Sequence, residues 1–112
     1  MERLTGSDAT FLYMENPVVH MHVTGVILLD PSTAPGGFTF ERFRRHLIGR
    51  LDRIPVFRRR LVEVPLGIDH PVWIEDPHFD VDRHLWSHRL PAPGGPEEFA
   101  EFVGGYASRP LD

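Results

Sequence analysis

Cysteine is absent from these 112 residues, and so is lysine. Without a thiol the chain forms no disulfide, no thiolate zinc site and no cysteine-ligated iron–sulfur cluster. A reducing compartment is permitted but not required. All twelve basic side chains are arginine, which we read as a bias of the coding DNA toward G and C. No apolar run approaches the roughly 18 residues of a membrane-spanning helix. The opening MERLTGSDAT lacks the basic-then-apolar order of a secretory signal. No G-x-S-x-G elbow or phosphate-cradling glycine loop occurs: the pairs Gly36-Gly37, Gly94-Gly95 and Gly104-Gly105 have the wrong surroundings. Glu75 and Asp76 are adjacent carboxylates, but successive strand residues point apart.

What remains has globular composition, 41% apolar and 25% charged. The length suits one small domain. The organising stretch runs from Phe38 to Pro65, FTFERFRRHLIGRLDRIPVFRRRLVEVP. Phe40, Phe43, Leu47, Leu51 and Ile54 recur at three- and four-residue spacing, with Ile48 beside them. That periodicity predicts one long amphipathic helix. Thr39 is placed to cap it, and Phe38 and Phe43 to staple its first turn. Pro55 predicts its end at Ile54. A strand over 57–64 follows.

Charge is divided along the chain. Residues 41–60 hold eight arginines against Glu41 and Asp52, a net +6; residues 61–112 hold three against ten acids, a net −7. Arg42, Arg44, Arg45, Arg50 and Arg53 on the helix are therefore candidates for contact with an anionic surface. The bland alternative is a solvated face that pairs with the acidic half. Nucleic acid fits poorly, because the charges are not interleaved with aromatics and the chain as a whole is acidic.

Elsewhere the pattern predicts a short helix over 5–14, begun by Thr5 and Asp8 at capping-box spacing and ended by Asn16-Pro17. Val18 to Leu29, VVHMHVTGVILL, predicts a central strand apolar on both faces. Strands are also predicted over 71–76 and at 84–89. Pro96, Glu97 and Glu98 open a last helix whose stripe is Phe99, Phe102, Val103 and Tyr106. The pair Arg109-Pro110 ends it. His20 and His22 share a strand face, and His84 and His88 have H-x-x-x-H spacing. Neither pair has a third ligand or the glutamate of a metalloprotease helix, so no metal site is expected. Asp76, Asp80 and Asp82 lack the glycine and terminal glutamate of a calcium loop. The expected class is mixed α/β or α+β, helices packed on a small sheet, with residues 1–112 forming a single partial domain. Phe43, Leu47 and Leu51 are expected to pack on the sheet that contains Val23 to Leu29.

Four segments carry a resemblance. MERLTGSDATFLYMENP, MHVTGVILLD, FRRRLVEVPLGIDHPVWIEDPHFDVDRHL and ASRPLD, in that order, resemble the N-terminal region of the bacterial wax ester synthase/diacylglycerol acyltransferase family, in a mycobacterium-like version. The resemblance implies a chloramphenicol acetyltransferase-like fold of two related halves with a tunnel between them. It implies acyl transfer from acyl-CoA to diacylglycerol or a long-chain alcohol, in triacylglycerol or wax ester synthesis. It implies no tightly bound cofactor, and a cytoplasmic protein that can work at the periphery of membranes or lipid droplets. The family's base is the second histidine of H-H-x-x-x-D-G, which is not found in this sequence. No catalytic residue is therefore assigned, and the chain is expected to be inactive alone. Met1 reads as a start, so the expectation is an N-terminal piece that scaffolds a site completed by the missing C-terminal portion. The alternative is a truncated, non-catalytic paralogue that binds lipid surfaces or a protein partner through its arginine-rich helix.

Overall fold

Thr39 opens the helix that the apolar stripe predicts. In the computed structural model, which describes residues 1–111, its hydroxyl oxygen accepts the Arg42 amide at 3.1 Å. The Phe38 and Phe43 rings meet at 6.2 Å between centroids, the predicted staple. Helix α2 spans Phe40–Ile48 and so stops short of the Ile54 predicted. Gly49 is the reason: it sits at the C-cap, its N–H returning to the Arg45 carbonyl. Glycine is a poor helix interior residue, and Pro55 restricts Ile54 from the other side. The chain between them advances in tight turns at Leu51–Arg53 and Pro55–Arg58.

Helix α1 covers Gly6–Met14. The Thr5 hydroxyl caps it by accepting the Asp8 amide at 3.2 Å while donating to the Asp8 carboxylate at 2.7 Å. Helix α3 covers Pro96–Ala107. Pro96 occupies N1 as predicted, and the Glu98 carboxylate reaches back to the Gly95 amide at 2.8 Å.

One sheet is formed among the described residues. Its strands are β1 (Glu2–Arg3), β2 (Arg59–Val62) and β3 (Val72–Glu75), antiparallel in the order β1-β3-β2. Register pairs Glu2 with Trp73 on one side of β3 and Leu61 with the same Trp73 on the other. The amide of Leu4 continues the first pairing to the Pro71 carbonyl at 3.0 Å. Strands β2 and β3 follow the sequence pattern. Strand β1 was not predicted, since two charged residues have no alternation to read.

A β-turn leaves β2 at Val64. Pro65 takes its first corner, and Leu66 takes the second with φ +65° and ψ +7°, while the Gly67 amide donates to the Val64 carbonyl at 3.1 Å. That is a type II turn with leucine at the position that favours glycine or asparagine.

Three expectations are corrected. Residues 18–29 form no strand: the backbone has no ladder partner among the described residues, and an extended segment is a strand only when paired. The sheet therefore excludes Val23 to Leu29, and Phe43, which is 41% exposed, does not pack on them. Residues 84–89 are irregular, because the Asp80 carboxylate accepts the Asp82 amide and starts a tight turn at Val81–Arg83 instead.

The coarse class is as expected, α+β with three helices and a small antiparallel sheet among the described residues. The chain divides into two compact units. One joins Met1–Ala9 to Leu28–Ser87; the other joins Thr10–Ile27 to the stretch from His88 onward. Buried hydrophobic side chains are few: Leu4, Ala9 and Leu51 among the described residues. Large apolar side chains such as Ile27, Leu28, Leu29 and Phe57 are exposed. Much of the surface that should form a core faces solvent.

Candidate functional site

Helix α2 displays the five candidate arginines, and the fold gives them different neighbours. Arg42 turns back across its own N-terminus, its Nη1 donating to the carbonyls of Pro35 and Gly37. Gly36 permits this approach: its φ is +73°, and a Cβ there would lie 3.1 Å from that nitrogen. Arg44 leaves the helix to meet Asp82 through two hydrogen bonds, Nε to Oδ1 at 2.7 Å and Nη2 to Oδ2 at 2.9 Å. The hydrogen bonds of Arg44 outweigh desolvation and, with a smaller contribution from its charge, hold the Asp82 carboxyl below the usual carboxylate range. Asp82 in turn raises Arg44. Arg50 donates to Nδ1 of His46 at 3.0 Å. Arg45 and Arg53 are exposed and have no ion-pair partner among the described residues.

The arginines that follow are also engaged. Arg58 lies 3.4 Å from both Asp52 and Glu75, Arg59 is 2.6 Å from Glu2, and Arg60 is 3.9 Å from Asp76. Several carboxylates of the acidic half thus neutralise the basic stretch, the pairing that the division of charge along the sequence allows. Exposed pairs of this kind add little stability each. Arg42 and Arg50 are hydrogen-bonded only to uncharged groups, and Arg45 and Arg53 are the exposed cations of the helix region with neither an ion pair nor such a hydrogen bond among the described residues.

The histidines are placed by packing. The His20 and His22 rings stack at 5.6 Å. Nε2 of His22 lies 2.8 Å from the Ala107 carbonyl in the last turn of α3, so it carries the proton and donates. His84 stacks on Phe79 at 5.4 Å, and His88 on Phe102 at 4.3 Å. Among the described residues no group of three His, Asp or Glu side chains could hold a metal ion. Asp76 and Asp80, which loosely suggest a calcium loop in sequence, accept backbone amides two residues on.

One open groove in the second unit collects three residue types used in acyl transfer. Leu12, Glu15, Asn16, Pro17, His20, Ser108 and Pro110 line it. Nucleophile and base must be hydrogen-bonded to each other to act together. Here the Ser108 hydroxyl donates to the Gly104 carbonyl at 2.7 Å, and the Glu15 carboxylate accepts the Met21 amide at 3.2 Å. His20 Nδ1 is buried with no partner. Ser108 and Glu15 are engaged by backbone groups, and neither is hydrogen-bonded to His20, so the three form no relay. Sequence spacing could not have brought Ser108 near His20, because their proximity depends on tertiary structure.

The model of the wax ester synthase/diacylglycerol acyltransferase catalytic domain matches residues 4–112. The chain belongs to that family. A Mycobacterium tuberculosis H37Rv protein provisionally named a diacylglycerol O-acyltransferase is 47% identical over all 112 residues, which make up 22% of its own length. A second from the same organism, named likewise, is 42% identical over 112 residues, 24% of its length. A third, again from that organism and carrying the same activity in its name, is 38% identical over 110 residues, 40% of its length. The chain therefore spans about a quarter of the first two relatives. No solved structure matches it. Among the described residues no helix is long and apolar enough to cross a membrane.

Proposed function

We propose that this chain is the N-terminal portion of an acyl-CoA-dependent diacylglycerol O-acyltransferase or wax ester synthase, scaffolding an active site completed by polypeptide outside residues 1–112. The observation that carries the reading is the family match over 4–112 by relatives several times as long. The excess of exposed apolar surface supports it, since a domain cut from a larger fold leaves its interface uncovered. In the reaction a base takes the proton of the acceptor hydroxyl, the oxygen attacks the thioester carbonyl, and the C–S bond breaks to release CoA as the thiol. The acceptor is diacylglycerol or a long-chain alcohol. The whole enzyme takes the two-halved, chloramphenicol acetyltransferase-like fold, with no resident cofactor.

The test is formation of triacylglycerol or wax ester from labelled acyl-CoA. Purified residues 1–112 should give none. Co-expression with the polypeptide that the 47%-identical relative carries outside its matched stretch should give turnover. Turnover by residues 1–112 alone, abolished by mutating one of their seven histidines, would overturn the reading. So would an inactive complex of the two pieces.

A second reading is favoured by one observation, the exposure of Arg45 and Arg53 without ion-pair partners. In it the chain is a non-catalytic paralogue that docks on anionic lipid through α2 and the turn after it. Sedimentation with anionic vesicles tests this directly, and inactivity of the two-piece complex would then be expected.

A further inference from the structure

Residues 23–29, VTGVILL, have strand chemistry and no strand partner. They carry no charge and no proline, the devices with which proteins protect a free strand edge. Val23 is 96% exposed, Ile27 82% and Leu28 79%. No backbone hydrogen bond joins residues 23–29 to another part of the described chain. In an extended backbone Val23, Ile27 and Leu29 point to one side, and Val26 and Leu28 to the other. Both faces are apolar, the pattern of a strand covered on two sides. Water satisfies the exposed amides, but the side chains of Val23, Val26, Ile27, Leu28 and Leu29 face solvent and forgo the burial that their pattern suits.

We propose that residues 23–29 are an interior β-strand of a larger sheet, whose neighbouring strand comes from the polypeptide that the relatives carry outside the matched 112 residues. This rests on the reading of the chain as part of a larger acyltransferase. The occupant follows from length: the matched stretch is 22% of one relative and 24% of another, so most of each relative is available to cover the segment. A lipid surface fits less well, because backbone amides stay unsatisfied in an apolar medium unless another strand pairs with them.

The experiment is hydrogen exchange on residues 1–112, alone and co-purified with the remaining polypeptide of the 47%-identical relative. In the chain alone, amides 23–29 should exchange at nearly unstructured rates. In the complex they should slow by roughly 100-fold or more. Ile27→Pro, which removes a ladder donor, and Ile27→Asp, which charges one face, should both abolish co-purification. Neither should change the thermal melt of the chain alone, because Ile27 is not part of its packed interior. Three results would overturn the proposal. One is a complex with amides 23–29 unprotected, or no complex at all. Another is protection that rises with concentration of the chain alone, which would assign the edge to a second copy. The last is protection by phosphatidylglycerol vesicles without the partner. Protection with no acyl transfer would leave the strand assignment standing and remove the enzymatic reading; acyl transfer without protection would do the reverse.

Discussion

Arg44 and Asp82 face each other through two parallel hydrogen bonds, at 2.7 and 2.9 Å, across 38 residues of chain. A planar guanidinium on a carboxylate gives geometric definition that a lysine in the same place would not. The pair fixes helix α2 to the turn after β3 at one point.

This pair predicts an acid-sensitive attachment. The Asp82 carboxyl lies below its ordinary range in the folded chain, so it contributes stability that is fully present above about pH 4, the unfolded value. The contribution fades as pH falls through the lowered folded value. Asp82→Asn should slightly lower the melting temperature at pH 7 and flatten its fall between pH 5 and 2. Salt should reduce the wild-type advantage, since the pair is exposed. Parallel acid profiles for wild type and variant would remove the pair from the account.

Vesicle binding should distinguish among the arginines. Arg45→Glu with Arg53→Glu should weaken binding to anionic vesicles several-fold, and 0.5 M salt should mimic the loss, at about 1 kcal/mol per basic residue near the surface. Arg42→Gln should do much less, since its guanidinium is held by the carbonyls of Pro35 and Gly37. Equal effects in a sedimentation assay would mean that ion pairing does not decide which cations are available.

Leu66 stores strain in the turn between β2 and β3. Its φ of +65° costs a leucine roughly 1–2 kcal/mol, and its side chain is 96% exposed, so no packing repays it. Leu66→Asn should stabilise the chain by about 0.5–1 kcal/mol in denaturant titrations. A lower midpoint would overturn the assignment of strain to Leu66.

Phe43→Ala should cost about 1 kcal/mol in the isolated chain, well under the roughly 3–5 kcal/mol of a fully buried phenylalanine. Phe43 is 41% exposed and keeps the staple to Phe38 as a ring contact. Chemical denaturation measures the difference, and a loss above about 3 kcal/mol would indicate a buried site.

Local chemistry was the legible part of this fold. Thr5, Thr39, Pro96 and the Phe38–Phe43 staple act within four or five residues, and each is where the sequence reading expects it. Strands β2 and β3 were legible because each is a short run containing apolar residues and bounded by turn residues. Gly49 was overlooked because the apolar stripe continues past it to Ile54, and periodicity does not register a break. The strand expected over 18–29 failed for another reason: sequence reports the preference for extended backbone, and pairing decides whether a sheet exists. Of the candidate site, the arginines were legible as a group. Their partners Asp82, Glu75, Asp76 and Glu2 were not, because each pair joins separate elements.

The register of β3 has a kinetic consequence. Its pairing with β2 joins Val62 to Val72, whereas its pairing with β1 joins Glu2 to Trp73. Closing the longer loop costs more chain entropy and yields only a two-residue ladder. The β2–β3 hairpin should therefore form first and β1 should add last, as the slower event. Strands β2 and β3 can offer a folding nucleus before the first residues of the chain have found their place.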